Sequence, residues 1–416
     1  MWKSLFSQIW NQRRANVWIW AELMIVVVLL WYGIDLVYNY EGAACQAKGY
    51  DTEHVYDITV NIKPILKHDS VMMSRSQDYI KQIYSLISHY PGVEEACYYY
   101  GSIPYTNNIM SEGYAPHSDS THVSGCYIRY VNSSYFKVFR LKPVTGKFNA
   151  TRWRASEYPM PALMSVALCD SIFHNPAAIG QTCFNPYFIG SKSPVTNYRV
   201  MAILSQHKLG DYERYEPFIY LPLSDDDMGW WMHFAVRVSP DAVSGFAGRF
   251  LNDMQPKLAI GPYYLYEVHS YSDMKEAYDL EQGTVNYLNA TYSILSFFMF
   301  NVFLTILGTF WFRTRKRRSE IGLRMALGSS RRDIFRYYVS EGVLLLLLAA
   351  IPAFIISFNI RVADLTVHTL MEVTRGRFLF CFIAAVAVLA LTILLGIWFP
   401  ARRAMRIQPA EALHED

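Results

Sequence analysis

Residues Arg313 to Arg336 read RTRKRRSEIGLRMALGSSRRDIFR, a short basic segment set between two long apolar runs. Arg313, Arg315, Lys316, Arg317, Arg318, Arg324, Arg331, Arg332 and Arg336 are opposed only by Glu320 and Asp333. A surplus of cations beside apolar runs places a loop on the cytoplasmic side of a membrane. The segment is also patterned. Ile321, Leu323, Met325, Ala326 and Leu327, then Ile334 and Phe335, set apolar side chains among the charges. This spacing suits short helices with one face against a partner or the membrane surface, an order for which a purely topogenic loop has no use.

The runs around this segment set the architecture. A helix needs about 20 mostly apolar residues to cross the hydrocarbon core, and the stretches 17–38, 291–312, 339–358 and 378–399 reach that length. Lys3, Arg13 and Arg14 precede the first run, and Arg402, Arg403 and Arg406 follow the last. Both termini are therefore expected in the cytoplasm, with 39–290 on the far side, 313–338 and 400–416 inside, and 359–377 as a short outer loop. The first run is too long for the apolar core of a cleavable signal peptide and reads as an anchor. Glu22, Asp35, Glu341 and Pro352 lie in or beside these runs, where an interface or covering helices tolerate them. Within 1–16, Trp2, Leu5, Phe6, Ile9 and Trp10 fall at helical spacing, as in an amphipathic helix on the inner surface.

Composition agrees with a membrane protein that carries a large water-exposed domain. The net charge of +3 is too small to argue for nucleic acid, and the cations gather beside the apolar runs instead of covering a face.

Within the outer domain, Val55 to Ile62 alternates as a strand, 77–87 carries the apolar period of a helix, and Val93 to Tyr100 resumes as a strand after Pro91-Gly92. A second such unit is formed by a strand over 233–238, a helix over 241–254 with Asp241 as its cap, and a strand over 263–268. Two split βαβ units imply a ferredoxin-like layer interrupted by a β-rich insert at about 110–223. From about Tyr271 to Asn289 the pattern is that of one continuous helix entering the second span. The fold class read from the sequence is thus an α+β membrane protein with four transmembrane helices and a large periplasmic domain.

The run Arg318-Ser-Glu320-Ile321-Gly322-Leu323-Arg324-Met-Ala326-Leu-Gly328, followed by Arg332-Asp333-Ile334 and Glu341, resembles the cytoplasmic loop of the MacB/FtsX-type ABC transporter permeases. The tail, with Pro400, Arg403, Pro409, Glu411, Ala412 and Leu413, is similar to the C-terminal signature of that family. Looser similarity to its periplasmic core is found at Val131 to Phe148, Ile179 to Gln181 and Glu216 to Leu223. The resemblance implies a dimer of permeases, homo- or heteromeric, with two separate ATPase subunits that bind ATP and Mg. Glu320, Ile321, Gly322, Leu323, Arg324, Ala326 and Gly328 would then contact the ATPase, and no cofactor would sit in this chain. It further implies a bacterial inner membrane location and a periplasmic adaptor or substrate as partner. The expected work is export of a drug, peptide or lipoprotein. The alternative is an FtsX-like scaffold that controls a periplasmic partner without transport.

The absences agree with a non-catalytic subunit: the chain has no GxxxxGK[ST], HExxH or GxSxG pattern. Arg361, Asp364, His368, Glu372, Arg375 and Arg377 in the short outer loop lack a nucleophile and base at useful spacing. Cys45, Cys97, Cys126, Cys169 and Cys183 fall in the outer domain and Cys381 in the fourth run. An odd number leaves at least one outer cysteine unpaired, and Cys169 with Cys183 is the pair nearest in sequence.

Overall fold

The computed structural model describes residues 13–64, 74–188, 196–224, 228–229, 231–316 and 329–404. The chain divides into two compact units, Met1–Ala43 with Val285–Asp416, and Ala44–Thr284. The first begins with α1 (Arg13–Ala44); the amphipathic stretch expected over 1–16 lies mostly outside the described residues.

The unit Ala44–Thr284 opens with β1 (Val55–Ile62), α2 (Ser76–Ser88) and β2 (Val93–Gly101). The chain then departs through β3 (Ser111–Pro116), β4 (Ser124–Val131), α3 (Tyr135–Val138), β5 (Pro143–Gly146), β6 (Met160–Ser165), α4 (Val166–Phe173), β7 (Thr182–Phe184), β8 (Asn197–Leu204) and β9 (Phe218–Pro222). It returns as β10 (His233–Val238), α5 (Phe246–Met254), β11 (Tyr263–Ser270) and α6 (Tyr271–Glu281). The strands β11, β1, β10 and β2 lie side by side in that order with every neighbour antiparallel, which is the ferredoxin-like arrangement of two interleaved βαβ units.

Period two and period 3.6 meet in this layer. Tyr56, Ile58, Val60 and Ile62 leave one face of β1, and Phe234, Val236 and Val238 leave the same face of β10. Against them pack Ile80, Ile83 and Ile87 from α2 and Phe246, Phe250 and Met254 from α5. Each fully buried side chain of this size contributes roughly 1.5–3 kcal/mol. α2 ends at Ser88, and the turn into β2 uses Gly92 at φ +90, where a Cβ would stand 2.6 Å from that of Ala242. One boundary differs from the expectation. Pro240–Ala242 forms a 3-10 turn, so the helix starts at Phe246 behind Gly245 (φ +64), and Asp241 is not its cap.

The insert closes on itself. From β4 the pairing runs through β3, β7, β8, β6 and β9 and back to β4, so these strands form a ring attached to the ferredoxin-like layer where β2 pairs with β4. Ile128, Met164, Leu168, Val200, Ile203 and Ile219 fill a core with Cys126, Cys169 and Cys183 among them. All six thiols are free. Burial pushes the Cys169 and Cys183 thiols up to about 12.

The remaining helices are α7 (Thr284–Lys316), α8 (Arg331–Val362) and α9 (Arg375–Ala404). With α1 they are long and apolar enough to cross a membrane. Val27, Trp31, Leu345, Ala349, Phe378, Ala385, Leu389 and Ile393 form their shared core. Phe297, Phe300, Ile351 and Ile383 point outward and exposed, an apolar exterior that suits lipid as the surrounding solvent.

The helices overrun the apolar stretches because backbone hydrogen bonding does not depend on hydropathy. Tyr40 against Tyr287 (ring centroids 5.4 Å apart) and Tyr292 donating to Glu41 (2.9 Å) give the extensions of α1 and α7 partners. The continuous helix expected over 271–289 is interrupted. α6 ends at Glu281, Gly283 takes φ +73, and α7 starts at Thr284, since a left-handed residue cannot continue the right-handed ladder.

Candidate functional site

The segment Glu320, Ile321, Gly322, Leu323, Arg324, Ala326 and Gly328 lies outside the described residues, as do Pro409, Glu411, Ala412 and Leu413. Pro400 and Arg403 fall in the last turns of α9. What the structure describes is how the two flanks of the basic segment are held. α7 continues as helix to Lys316. On the other side Ser330 caps α8: its hydroxyl accepts from the Asp333 N–H (3.3 Å), and the Asp333 carboxylate accepts from the Ser330 N–H (3.1 Å) and hydroxyl (2.6 Å). This reciprocal box sets a firm start for α8 immediately after the segment. The Ser-x-x-Asp spacing was legible in the sequence.

From that start, Ile334, Tyr338 and Glu341 turn inward and are buried. Gly342 lets α9 approach α8 closely, since a Cβ there would stand 2.7 Å from the Ile397 side chain. Gly396 does the same between α9 and α7, with Ile306 at 2.9 Å. Small residues at such crossings let membrane helices pack backbone to backbone.

At the other end of the bundle, a buried charge pair joins α1 to α9. Arg377 Nε and Nη2 each donate to the Asp35 carboxylate at 2.8 Å. The remaining donors reach the Asp35, Val367 and Met371 carbonyls (3.0, 3.0 and 2.9 Å) and Asn39 Oδ1 (3.3 Å). Asn39 Oδ1 also accepts from the Met371 N–H at 3.1 Å. The sequence reading placed Arg377 in the short outer loop; it instead occupies the first turn of α9, 4 % exposed. Its partner is 342 residues away, and no local pattern announces such a pair.

The unit Ala44–Thr284 has a polar node of its own, also unannounced by the sequence. Asp211, in the loop between β8 and β9, receives Lys48 at 3.2 Å, Lys275 of α6 at 2.5 Å and the Tyr105 hydroxyl at 2.8 Å. The same loop accepts from the Tyr50 hydroxyl at the Leu209 carbonyl (3.1 Å), and its Tyr215 donates to the Ala47 carbonyl (3.0 Å). Tyr278 of α6 donates to Glu213. One loop therefore grips both the segment that follows α1 and the helix that precedes α7.

Deeper in this unit, Arg129 of β4 is wholly buried and has no carboxylate partner among the described residues. Its Nε donates to the Ser102 carbonyl (2.5 Å) and its Nη1 to the Tyr135 and Tyr220 hydroxyls (2.6 and 3.2 Å), with the Phe218 ring 5.4 Å away. His207 packs on Phe218 and Tyr220 as well. Burial, only partly countered by its bond to the Ser205 carbonyl, brings its imidazole down to about 4, so it stays neutral near pH 7. Among the described residues no three His, Cys, Asp or Glu side chains converge to hold a metal.

Residues 292–409, which include the basic segment and the whole of α8 and α9, match the family described as FtsX-like permease C-terminal. Residues 292–409 carry an FtsX-like permease C-terminal domain. Among curated relatives of this chain, the pyoverdine export ATP-binding/permease protein PvdT of Pseudomonas putida is 31% identical over 106 residues, 24% of this chain and 14% of that protein. The macrolide export ATP-binding/permease protein MacB of Bordetella avium is 35% identical over 103 residues, 24% and 15% respectively. The matched stretches thus span about one seventh of the length of these relatives.

Among solved structures, the extracellular domain of the noncanonic ABC-type transporter YknZ from Gram-positive bacteria has a TM-score of 0.32 at 14% identity, covering 51% of this chain and 100% of that chain. The periplasmic region of MacB from Actinobacillus actinomycetemcomitans has a TM-score of 0.35 at 13% identity, covering 59% and 98%.

Proposed function

We propose that this chain is the membrane subunit of an ABC exporter, driven by a separate ATPase and carrying out no ATP hydrolysis itself. The observation that carries this reading is the family match over 292–409, which spans the basic segment and the helices on either side. In this reading both termini and the basic segment face the cytoplasm of a bacterial inner membrane, and Ala44–Thr284 lies in the periplasm. The ATPase subunit docks on Glu320 to Gly328, and a second permease completes a dimer.

ATP-driven movement enters through the basic segment and reaches α8 at its Ser330–Asp333 cap. It spreads to α7 and α9 through the close crossings at Gly342 and Gly396. α1 and α7 continue in sequence into the two segments that the Asp211 loop grips, so the outer unit receives the movement at both of its chain ends. The cargo class that suits this reading is a drug, peptide or lipoprotein expelled from the periplasmic side.

The test is co-purification with a candidate ATPase, followed by ATP hydrolysis in lipid with and without a Glu320→Lys/Gly322→Trp double change. The expected result is a complex whose hydrolysis is stimulated by the permease, with stimulation lost in the variant. A dimeric permease that recruits no ATPase would overturn the reading. A complex that hydrolyses ATP while only a soluble periplasmic enzyme responds would move it to the scaffold alternative.

A further inference from the structure

The grip of the Asp211 loop on α6 includes a carboxylate that shares in no ion pair among the described residues. Asp211 takes two ammonium groups, Lys48 at 3.2 Å and Lys275 at 2.5 Å. Asp279 follows Lys275 by four residues on the same face of α6 and is 6 % exposed. Among the described residues it has neither an ion pair nor a hydrogen bond of its own.

Asp279 is faced by Asp211 and Glu213 from the loop, by Lys48 from the segment after α1, by Lys275 on its own helix, and by the Tyr105 phenol. Lys208 of the same loop faces Asp211 and Glu213. The loop cannot simply retreat from this crowding. A Cβ on Gly210 would stand 3.0 Å from the Tyr278 ring, and the Tyr278 hydroxyl donates to Glu213.

We propose that Asp279 is a proton-operated latch: protonated, it lets α6 seat on the Asp211 loop, and ionised, it pushes α6 off against Asp211 and Glu213. The proposal names a regulation of the path given above and rests on that reading for its consequence, that acid on the side of this domain tightens the grip on the helix preceding α7. The latch itself is a property of the unit Ala44–Thr284.

The two aspartates titrate in opposite senses. Burial first, and then the Asp211 charge, push the Asp279 carboxyl up to about 6. Burial also acts to raise Asp211, but the bonds from Lys275 and Tyr105 and the Lys48 charge bring it below the ordinary carboxylate range. A carboxyl held higher in the closed state than in the open one binds its proton more tightly when closed. The closed state therefore gains as pH falls through about 6, and the gain is complete near an ordinary carboxylate value of about 4. Asp211 stays ionised across that window, so the anchor persists while the repulsion is switched. Gly283, with φ +73 immediately after α6, is the point at which seating or release of α6 is absorbed before α7 begins.

The experiment is hydrogen–deuterium exchange of residues 271–284 in the full chain in lipid nanodiscs at pH 5.5 and 7.5, corrected for the intrinsic pH dependence of exchange. Wild type is expected to be roughly fourfold more protected at pH 5.5, the change that carboxyl values of about 6 closed and about 4 open give between these two pH values. Asp279→Asn, neutral at both values, should show the acid level of protection at both. Asp211→Asn removes the anchor and should lower protection at both.

Equal wild-type protection at the two pH values, or an Asp279→Asn variant that keeps the wild-type difference, overturns the latch. So does an Asp211→Asn variant as protected as wild type. This readout needs no ATPase. A latch that works in a chain recruiting none would leave the proposal standing and the permease reading failed.

Discussion

Two arginines, one in each unit, are buried to nearly the same degree and held in opposite ways. Arg377, in the membrane helices, meets a full counter-charge in Asp35, with both carboxylate oxygens at 2.8 Å. Arg129, in the unit Ala44–Thr284, meets no carboxylate among the described residues and spreads its charge over a carbonyl, two tyrosine hydroxyls and three aromatic faces. The difference reflects the surroundings. Among apolar helices bathed in lipid, an arginine lacking a formal partner would face hydrocarbon on most sides. Inside a folded domain, a shell of oriented hydroxyls and electron-rich rings can stand in for water.

The comparison is broken most severely at Asp35. Asp35→Asn leaves the Arg377 guanidinium without its counter-charge and is expected to cost about 3–5 kcal/mol, measured by thermal unfolding in lipid nanodiscs. An Asp35→Leu/Arg377→Leu double change should recover much of that loss. If the double falls as far as the single, the carbonyls of Asp35, Val367 and Met371 hold the arginine and the carboxylate is secondary.

Arg129→Met sharpens the other half. It orphans the Ser102 carbonyl and the Tyr135 and Tyr220 hydroxyls while keeping the ring faces packed, for an expected loss of about 2–3 kcal/mol. Denaturant unfolding of the full chain, followed through local probes in the outer unit, measures it. A loss equal to that of Asp35→Asn would show that dispersed dipoles and a formal pair are equally indispensable here.

The smallest effect belongs to a capping hydroxyl in open solvent. Ser330→Ala removes half of the box that starts α8 and should cost about 1 kcal/mol of local helix stability, seen as faster exchange over 331–338. An unchanged rate there would mean that packing of Ile334 and Tyr338, and not the cap, sets the start of α8.

These three sites also mark how far the sequence could be read. The Ser330–Asp333 box was legible because both partners lie within one turn, where spacing alone dictates geometry. The ferredoxin-like layer was legible for a related reason: the alternation at Val55–Ile62 and the 3.6-residue period at 76–88 are imposed residue by residue by one-sided burial. The break at Gly283 was missed because the residues on both sides of it keep helical character, and a single glycine does not reveal its φ. The Asp35–Arg377 pair and the Lys48–Asp211–Lys275 node were missed for a stronger reason. Each joins segments separated by scores or hundreds of residues, and every member taken singly looks like an ordinary surface charge.

The sequence by itself determined the periodic features: four helices apolar enough to span a membrane, two interleaved βαβ units, and a basic, glycine-containing segment between the second and third spans. Period, length and charge are local quantities, summed over short windows in which neighbours in sequence are neighbours in space. Only the tertiary structure decided which charges are buried together, how the insert closes into a ring, and where the helix entering α7 is interrupted. Those outcomes depend on long-range desolvation and on one chosen backbone angle, and neither is written in any short stretch of the chain.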